Sequence, residues 1–151
     1  MLQLKYKIMK LIVLLIFFVL HVFVFGQNSE IIWQQCYGGS ENDNAIDILG
    51  KDDGYIIAGW TSSDDGDVLF NHGLSDGWII KTDTIGNINW EKTYGGTLGD
   101  NIRGIIPSDG EYFLLGASNS SDGDISNDPY PNTWDYWIVK IDNSGNIIWE
   151  K

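Results

Sequence analysis

The chain has 151 residues, with 9 Lys and Arg against 21 Asp and Glu, which gives a formal net charge of −12. This balance argues against a nucleic-acid-binding protein, because such proteins need a basic surface to neutralise phosphates. The single cysteine excludes an intramolecular disulfide framework and a cysteine-rich zinc site. A hydrophobic content of 43% is too high for a disordered chain. We therefore expect one folded domain, or a piece of a larger one.

The first 26 residues have the pattern of a targeting segment. Three lysines lie within the first ten residues, and residues 11–25 are apolar apart from His21. We predict a secretory signal peptide over residues 1–26, cleaved before Gln27, and hence a secreted or cell-surface protein without membrane contact after cleavage. An uncleaved anchor is the alternative. A helix of 15 residues spans about 22 Å, which is short of the roughly 30 Å hydrocarbon core.

The remainder of the chain repeats itself, which is typical of repeat architectures. Trp33-Gln-Gln-Cys-Tyr37-Gly-Gly returns as Trp90-Glu-Lys-Thr-Tyr94-Gly-Gly, a shift of 57 residues (90 − 33). Asp76-Gly-Trp-Ile-Ile-Lys81 returns as Asp135-Tyr-Trp-Ile-Val-Lys140, a shift of 59 residues (135 − 76). Many matches in register, including Trp and Gly, make chance a poor explanation.

Each repeat contains four short apolar runs separated by Gly, Asp, Asn and Ser, and no run shows a sustained helical period. An additional leading strand is predicted at Ile31–Tyr37. The eight predicted strands are Ala45–Leu49, Tyr55–Thr61, Trp78–Thr82, Ile88–Tyr94, Ile102–Ile106, Tyr112–Ser118, Tyr136–Ile141 and Ile147–Lys151.

Four antiparallel strands in a repeat of this length are typical of a β-propeller blade. We predict an all-β fold within residues 27–151: a partial propeller with one blade over about 40–94, a second over about 97–151, and the leading strand. A plain meander or a small β-sandwich is the structural alternative.

The motifs resemble those of known propeller families. Gly86-Asn-Ile-Asn-Trp90 and Gly145-Asn-Ile-Ile-Trp149 resemble the tryptophan-docking signature of quinoprotein-like propellers. The wider pattern at Trp33–Ser40, Asp53–Asp67 and Asp76–Lys81 is similar to secreted propeller-repeat proteins of gliding bacteria, of the kind exported by type IX secretion. The resemblance covers nearly all of 31–151 and implies kelch-like or quinoprotein-like blades. Some members of that family are labelled endoglucanase-like.

Two blades would leave two broad apolar faces uncovered, whereas propellers usually close with four to eight blades. Three interpretations follow. The chain is a fragment of a longer secreted protein, it self-associates through its open blade faces, or it folds as an open pair.

Acidic turns are the candidate metal ligands, because hard carboxylate oxygens around a tight glycine turn suit Ca²⁺. Asp65, Asp67, Asp122 and Asp124 carry this hypothesis. The alternative is that these side chains accept hydrogen bonds from nearby backbone N–H groups. No other cofactor is predicted.

Aromatic side chains that break the repeat are the candidate ligand-binding residues. Trp60, Tyr130 and Trp134 offer faces that could stack on sugar rings, and packing within their own loops is the alternative. His72 and Cys36 have no recognisable catalytic partner in the sequence.

These patterns favour a non-catalytic binding or scaffold module, with a glycan or a cell-surface protein as its partner. A propeller portion of a carbohydrate-active, endoglucanase-like enzyme is the alternative, since glycosidases need only two acids at a defined separation. The sequence singles out no such pair.

Overall fold

The computed structural model describes residues 2–22, 30–126 and 128–151. One compact unit extends from Met1 to Ile32 and contains the helix α1 (Leu2–Val22). The predicted cleavage point before Gln27 lies outside the described residues. No helix among those described combines the length and the apolarity that crossing a bilayer requires.

The second unit, Trp33–Lys151, consists of two antiparallel four-stranded sheets. The chain is therefore all-β in this unit, and the eight strands predicted within the repeats are confirmed. Each sheet is a simple meander, in which every strand pairs with the next along the chain. The first sheet contains β1 (Asp43–Lys51), β2 (Gly54–Thr61), β3 (Asp76–Thr82) and β4 (Ile88–Tyr94), and the second contains β5 (Asp100–Ser108), β6 (Glu111–Ser118), β7 (Asp135–Ile141) and β8 (Ile147–Glu150).

The two sheets share their irregularities. In each first strand the register shifts by one residue, so that Ile46 in β1 and Arg103 in β5 have no direct partner on the next strand. Such β-bulges redirect a side chain out of the regular alternation of a strand. These two equivalent residues line the same cleft.

The main hydrophobic core lies between the two sheets. Ile56, Ala58 and Ile79 of the first sheet pack against Leu114, Trp137 and Val139 of the second, together with other buried side chains. The strand β3 is buried along its whole length, because both of its faces are covered. A smaller core of Val68, Trp78 and Ile80 lies on the opposite side of the first sheet.

The predicted leading strand is wrong. No strand is formed by Ile31–Tyr37 in the structure, although Trp33 and Tyr37 pack on the first sheet. Its equivalent, β4, is a strand because it pairs with β3. The physical reason is that extended backbone becomes a strand only when a neighbouring strand takes up its N–H and C=O groups, and no described strand lies beside residues 31–37.

Candidate functional site

The four acidic residues predicted as calcium ligands support one loop in each sheet. Asp67 Oδ2 accepts a hydrogen bond from the Gly38 N–H at 3.1 Å, and Asp65 Oδ1 accepts one from the Ser40 N–H at 2.7 Å. In the second sheet, Asp124 Oδ2 accepts from Gly95 N–H at 3.1 Å, and Asp122 Oδ1 from Thr97 N–H at 2.8 Å. The same carboxylates therefore hold the same Tyr-Gly-Gly loop twice.

Backbone conformation explains why glycine follows the first acid of each turn. Gly66 and Gly123 have φ angles of 67° and 64°, which residues with a Cβ rarely adopt. A Cβ at Gly123 would also lie 2.3 Å from the carbonyl oxygen of Gly95. The turn and the loop that it supports therefore approach each other more closely than any side chain would allow.

The carboxylates of both turns accept hydrogen bonds from the loops that they support. The Thr97 backbone N–H and hydroxyl lower the pKa of Asp122. Among the described residues, no three His, Cys, Asp or Glu side chains converge closely enough to hold a metal ion. Calcium binding at these turns remains a prediction.

The fold brings Trp60 and Trp134 into one cleft of about 530 Å³, although they lie in different repeats. Trp60 stands near the end of β2, paired with Asn44 and Gly77. Trp134 immediately precedes β7 and is 57% exposed. The Trp134 ring lies close to the backbone at Gly99, where a Cβ would be only 3.2 Å from the ring.

Polar and apolar groups complete this cleft, which we call the tryptophan cleft. The two bulge residues, Ile46 and Arg103, both line it. Arg103 Nε donates a hydrogen bond to Asn101 Oδ1 at 2.9 Å, which fixes the guanidinium beside the cleft. Aromatic faces flanked by a few fixed polar groups are the usual lining of a small-molecule or sugar site.

Tyr130, the third aromatic candidate, lies elsewhere. It lines a separate pocket of about 360 Å³ with Pro129 and Tyr136. Both tyrosines are largely exposed, and the turn that carries them includes Asn132 at a φ of 66°. The structure thus joins two of the three predicted ligand-binding residues and separates the third.

A buried carboxylate beside His72 was not found by reading the sequence. His72 Nδ1 lies 2.5 Å from Asp76 Oδ2, and the same oxygen accepts a hydrogen bond from the His72 backbone N–H at 2.8 Å. Asp76 is 0% exposed, and burial raises its pKa, with a further contribution from the charge of Asp100. The four-residue spacing between His72 and Asp76 is too common to serve as a signal.

The two buried carboxylates face the same glycine. A Cβ on Gly95 would lie 2.7 Å from both Asp76 Oδ1 and Asp100 Oδ2. The Oδ1 atoms of Asp76 and Asp100 have no hydrogen-bond partner in the described structure. Asp76 is the only side chain hydrogen-bonded to His72 among the described residues, and Asp124 Oδ2 lies 3.9 Å from the other ring nitrogen, Nε2.

Comparison with known proteins adds no family to this picture: no family model matches the sequence, and no curated protein is similar to it.

Proposed function

We propose that this chain is an exported, non-catalytic binding module built from β-propeller repeats, a part of a longer secreted protein, which binds a glycan in the tryptophan cleft. The observation that carries the proposal is the convergence of Trp60 and Trp134. Neither tryptophan is repeated as Trp at its equivalent position, so the internal repeat does not require them. The repeated pair Trp78 and Trp137 is buried in the cores instead.

Propeller repeats are supported by the two meander sheets and by the shared loop network. Export is supported by the basic start and the apolar run of residues 1–26. A scaffold or cell-surface protein partner remains compatible with the same fold.

Hydrolysis is the competing function, and the cleft favours binding over it. A glycosidase needs two carboxyl groups that reach the scissile bond. The acid that lines the tryptophan cleft, Asp100, is 0% exposed and therefore cannot contact a sugar.

Isothermal titration with cello-oligosaccharides and a panel of soluble polysaccharides tests the proposal. We expect Trp60→Ala and Trp134→Ala each to weaken binding by roughly tenfold, since an aromatic contact contributes about 0.5–1.5 kcal/mol beyond its buried area. Tyr130→Ala, in the separate pocket, serves as the matched control and should bind normally.

Two results would oppose the proposal. Equal binding by the two tryptophan variants and the original chain would place any glycan outside the cleft. Release of reducing ends from carboxymethylcellulose would identify the enzyme alternative.

A further inference from the structure

Each sheet has two faces, and only one junction between sheets is formed within the described chain. We call one side of each sheet its front face. In the second sheet this side carries Tyr112, Leu114, Trp137 and Val139, and in the first sheet it carries the equivalent residues. The opposite side is the back face, represented in the first sheet by Leu49, Ile56, Ala58 and Ile79. The back face of the first sheet covers the front face of the second.

The back face of the second sheet carries the same kind of residues but is open. Leu115 is 46% exposed and Ile138 38% exposed, whereas their equivalents Ala58 and Ile79 are both 0% exposed. The equivalents of Leu49 and Ile56, which are Ile106 and Phe113, complete this apolar surface. Trp149 of the same sheet packs edge-on against Phe113, with ring centroids 5.8 Å apart, and Leu115 and Ile138 stay exposed.

The front face of the first sheet is partly open: Trp78 and Ile80 are buried against Val68 and Tyr37, whereas β1 is exposed on this side. Ile48 in β1 is 58% exposed, whereas its equivalent Ile105 in β5 is 7% exposed because the first sheet covers it. One end of the pair therefore presents a front face, and the other presents a back face.

We propose that, in the chain of residues 1–151 taken by itself, the back face of the second sheet docks onto the front face of the first sheet of a second copy, in the place that a further blade of the longer protein proposed above would take. The intramolecular junction is the template, because both open faces are apolar at positions that pack together there: Ile106, Phe113, Leu115 and Ile138 on one face, and Ile48, Ile57, Trp78 and Ile80 on the other. The contact is heterologous, because two different patches meet. Such contacts give rings when the rotation closes and open filaments when it does not.

One local rearrangement is required. Trp33 of one copy and Trp149 of the other are both equivalent to Trp90, so they would occupy the same position at the new contact. We expect the segment Trp33–Gln35 to be displaced from the first sheet, because it forms no strand, whereas β8 is hydrogen-bonded to β7. Tyr37 stays on the first sheet through its hydrogen bond to the Gly86 carbonyl.

Charge opposes this association, which gives the contact a recognisable salt dependence. Each copy has a net charge of −12, so two copies repel each other at low ionic strength. Salt screens this repulsion at distances beyond about 8 Å at 0.15 M. Association is therefore expected to strengthen as salt is added.

Light scattering after size-exclusion chromatography tests the proposal on the full chain. We expect a mass above the 17.0 kDa of one chain. Leu115→Asp places a charge on the back face of the second sheet, and Ile48→Asp places one on the front face of the first sheet. Each variant alone should be monomeric. Mixed together, the two should form a dimer and nothing larger, because one intact face of each kind remains.

Two control variants distinguish this contact from nonspecific hydrophobic association. Leu69→Asp changes an exposed leucine whose equivalent, Ser126, stays exposed at the junction between the sheets, so association should persist. Trp33→Ala should leave association intact or strengthen it. A monomer under all conditions, a mass unaffected by Leu115→Asp and Ile48→Asp, or a mixture that stays monomeric would overturn the proposal.

Discussion

The two sheets have nearly the same hydrogen-bond network but differ in what covers them. The Tyr-Gly-Gly loop, its supporting acids and the tryptophan bonded to a glutamate recur in both sheets, with Trp78 donating to Glu91 and Trp137 to Glu150. The front face of the second sheet is buried by the first, whereas that of the first sheet is covered in part by the short segment Trp33–Tyr37 and by Val68. Some equivalent residues are therefore similar in type but differ in burial. Matched substitutions at such positions measure how much the junction contributes to the free energy of unfolding.

The largest difference is expected for a core leucine at the junction. Leu114→Ala removes a side chain that is fully buried between the sheets, and we expect the free energy of unfolding to fall by about 2–5 kcal/mol. The equivalent change, Ile57→Ala, affects a half-buried residue and should cost clearly less. Urea unfolding followed by tryptophan fluorescence measures both. Equal losses would mean that the junction contributes little to stability.

A smaller difference is expected for the two loop tyrosines. The Tyr94 hydroxyl donates to the buried Gly145 carbonyl at 2.7 Å, and the Tyr37 hydroxyl donates to Gly86 at a more exposed position. Tyr94→Phe leaves a buried acceptor unpaired and should cost about 1–3 kcal/mol. Tyr37→Phe should cost less, because water can replace the lost partner. The comparison fails if the two variants have the same urea midpoint.

The loop acids should show a small difference between the sheets. Asp65→Ala removes the acceptor of one backbone N–H, whereas Asp122→Ala removes the acceptor of one backbone N–H and of the Thr97 hydroxyl. Both settings are exposed, so we expect small decreases in Tm, slightly larger for Asp122→Ala. Differential scanning fluorimetry with calcium and with chelator tests the calcium prediction at the same time. A Tm that rises with calcium in the original chain, and not in these variants, would assign the metal to these turns.

The smallest effect is expected in the pH dependence of stability. Burial raises the pKa of Asp76 above its ordinary value of 3.8, so the folded state holds this proton more tightly than the unfolded state does. Asp76 then contributes stability that is fully present below pH 3.8 and is lost as the pH rises through the raised value. His72 and Asp100 are the titratable groups that face it.

The variant Asp76→Asn lacks this titration. Its stability relative to the original chain should therefore increase from about pH 3 to about pH 6, across the range where carboxyl groups titrate. Asp135→Asn, at the equivalent exposed position, should show a flat difference over the same range. Parallel curves for Asp76→Asn and the original chain would show that burial does not perturb this carboxyl group.

The strands were predictable from sequence because their signals are local. Alternating apolar residues and turn glycines located β2 and β6 to within one residue, and β4 at its observed bounds. The segment at 31–37 has the same local pattern as β4, yet it forms no strand, because strand formation also depends on a partner that the local sequence does not specify. The prediction failed at that non-local step.

The candidate sites divide along the same line. Trp60 and Trp134 stood out in the sequence because they break the repeat, but the sequence did not show that they line the same cleft, since they lie in different repeats. The contact of His72 with Asp76 gave no signal, since a histidine four residues before an aspartate is unremarkable outside a fold.

The sequence by itself determined the strand content, the turns, and the loop network that both repeats form, because these depend on residue types at short and repeated spacings. Only the tertiary structure decided which face of each sheet is buried, which carboxyl groups are desolvated, and which tryptophans line the same cleft. Burial and convergence depend on how the two sheets pack, and equivalent residues in two similar repeats therefore end in different environments.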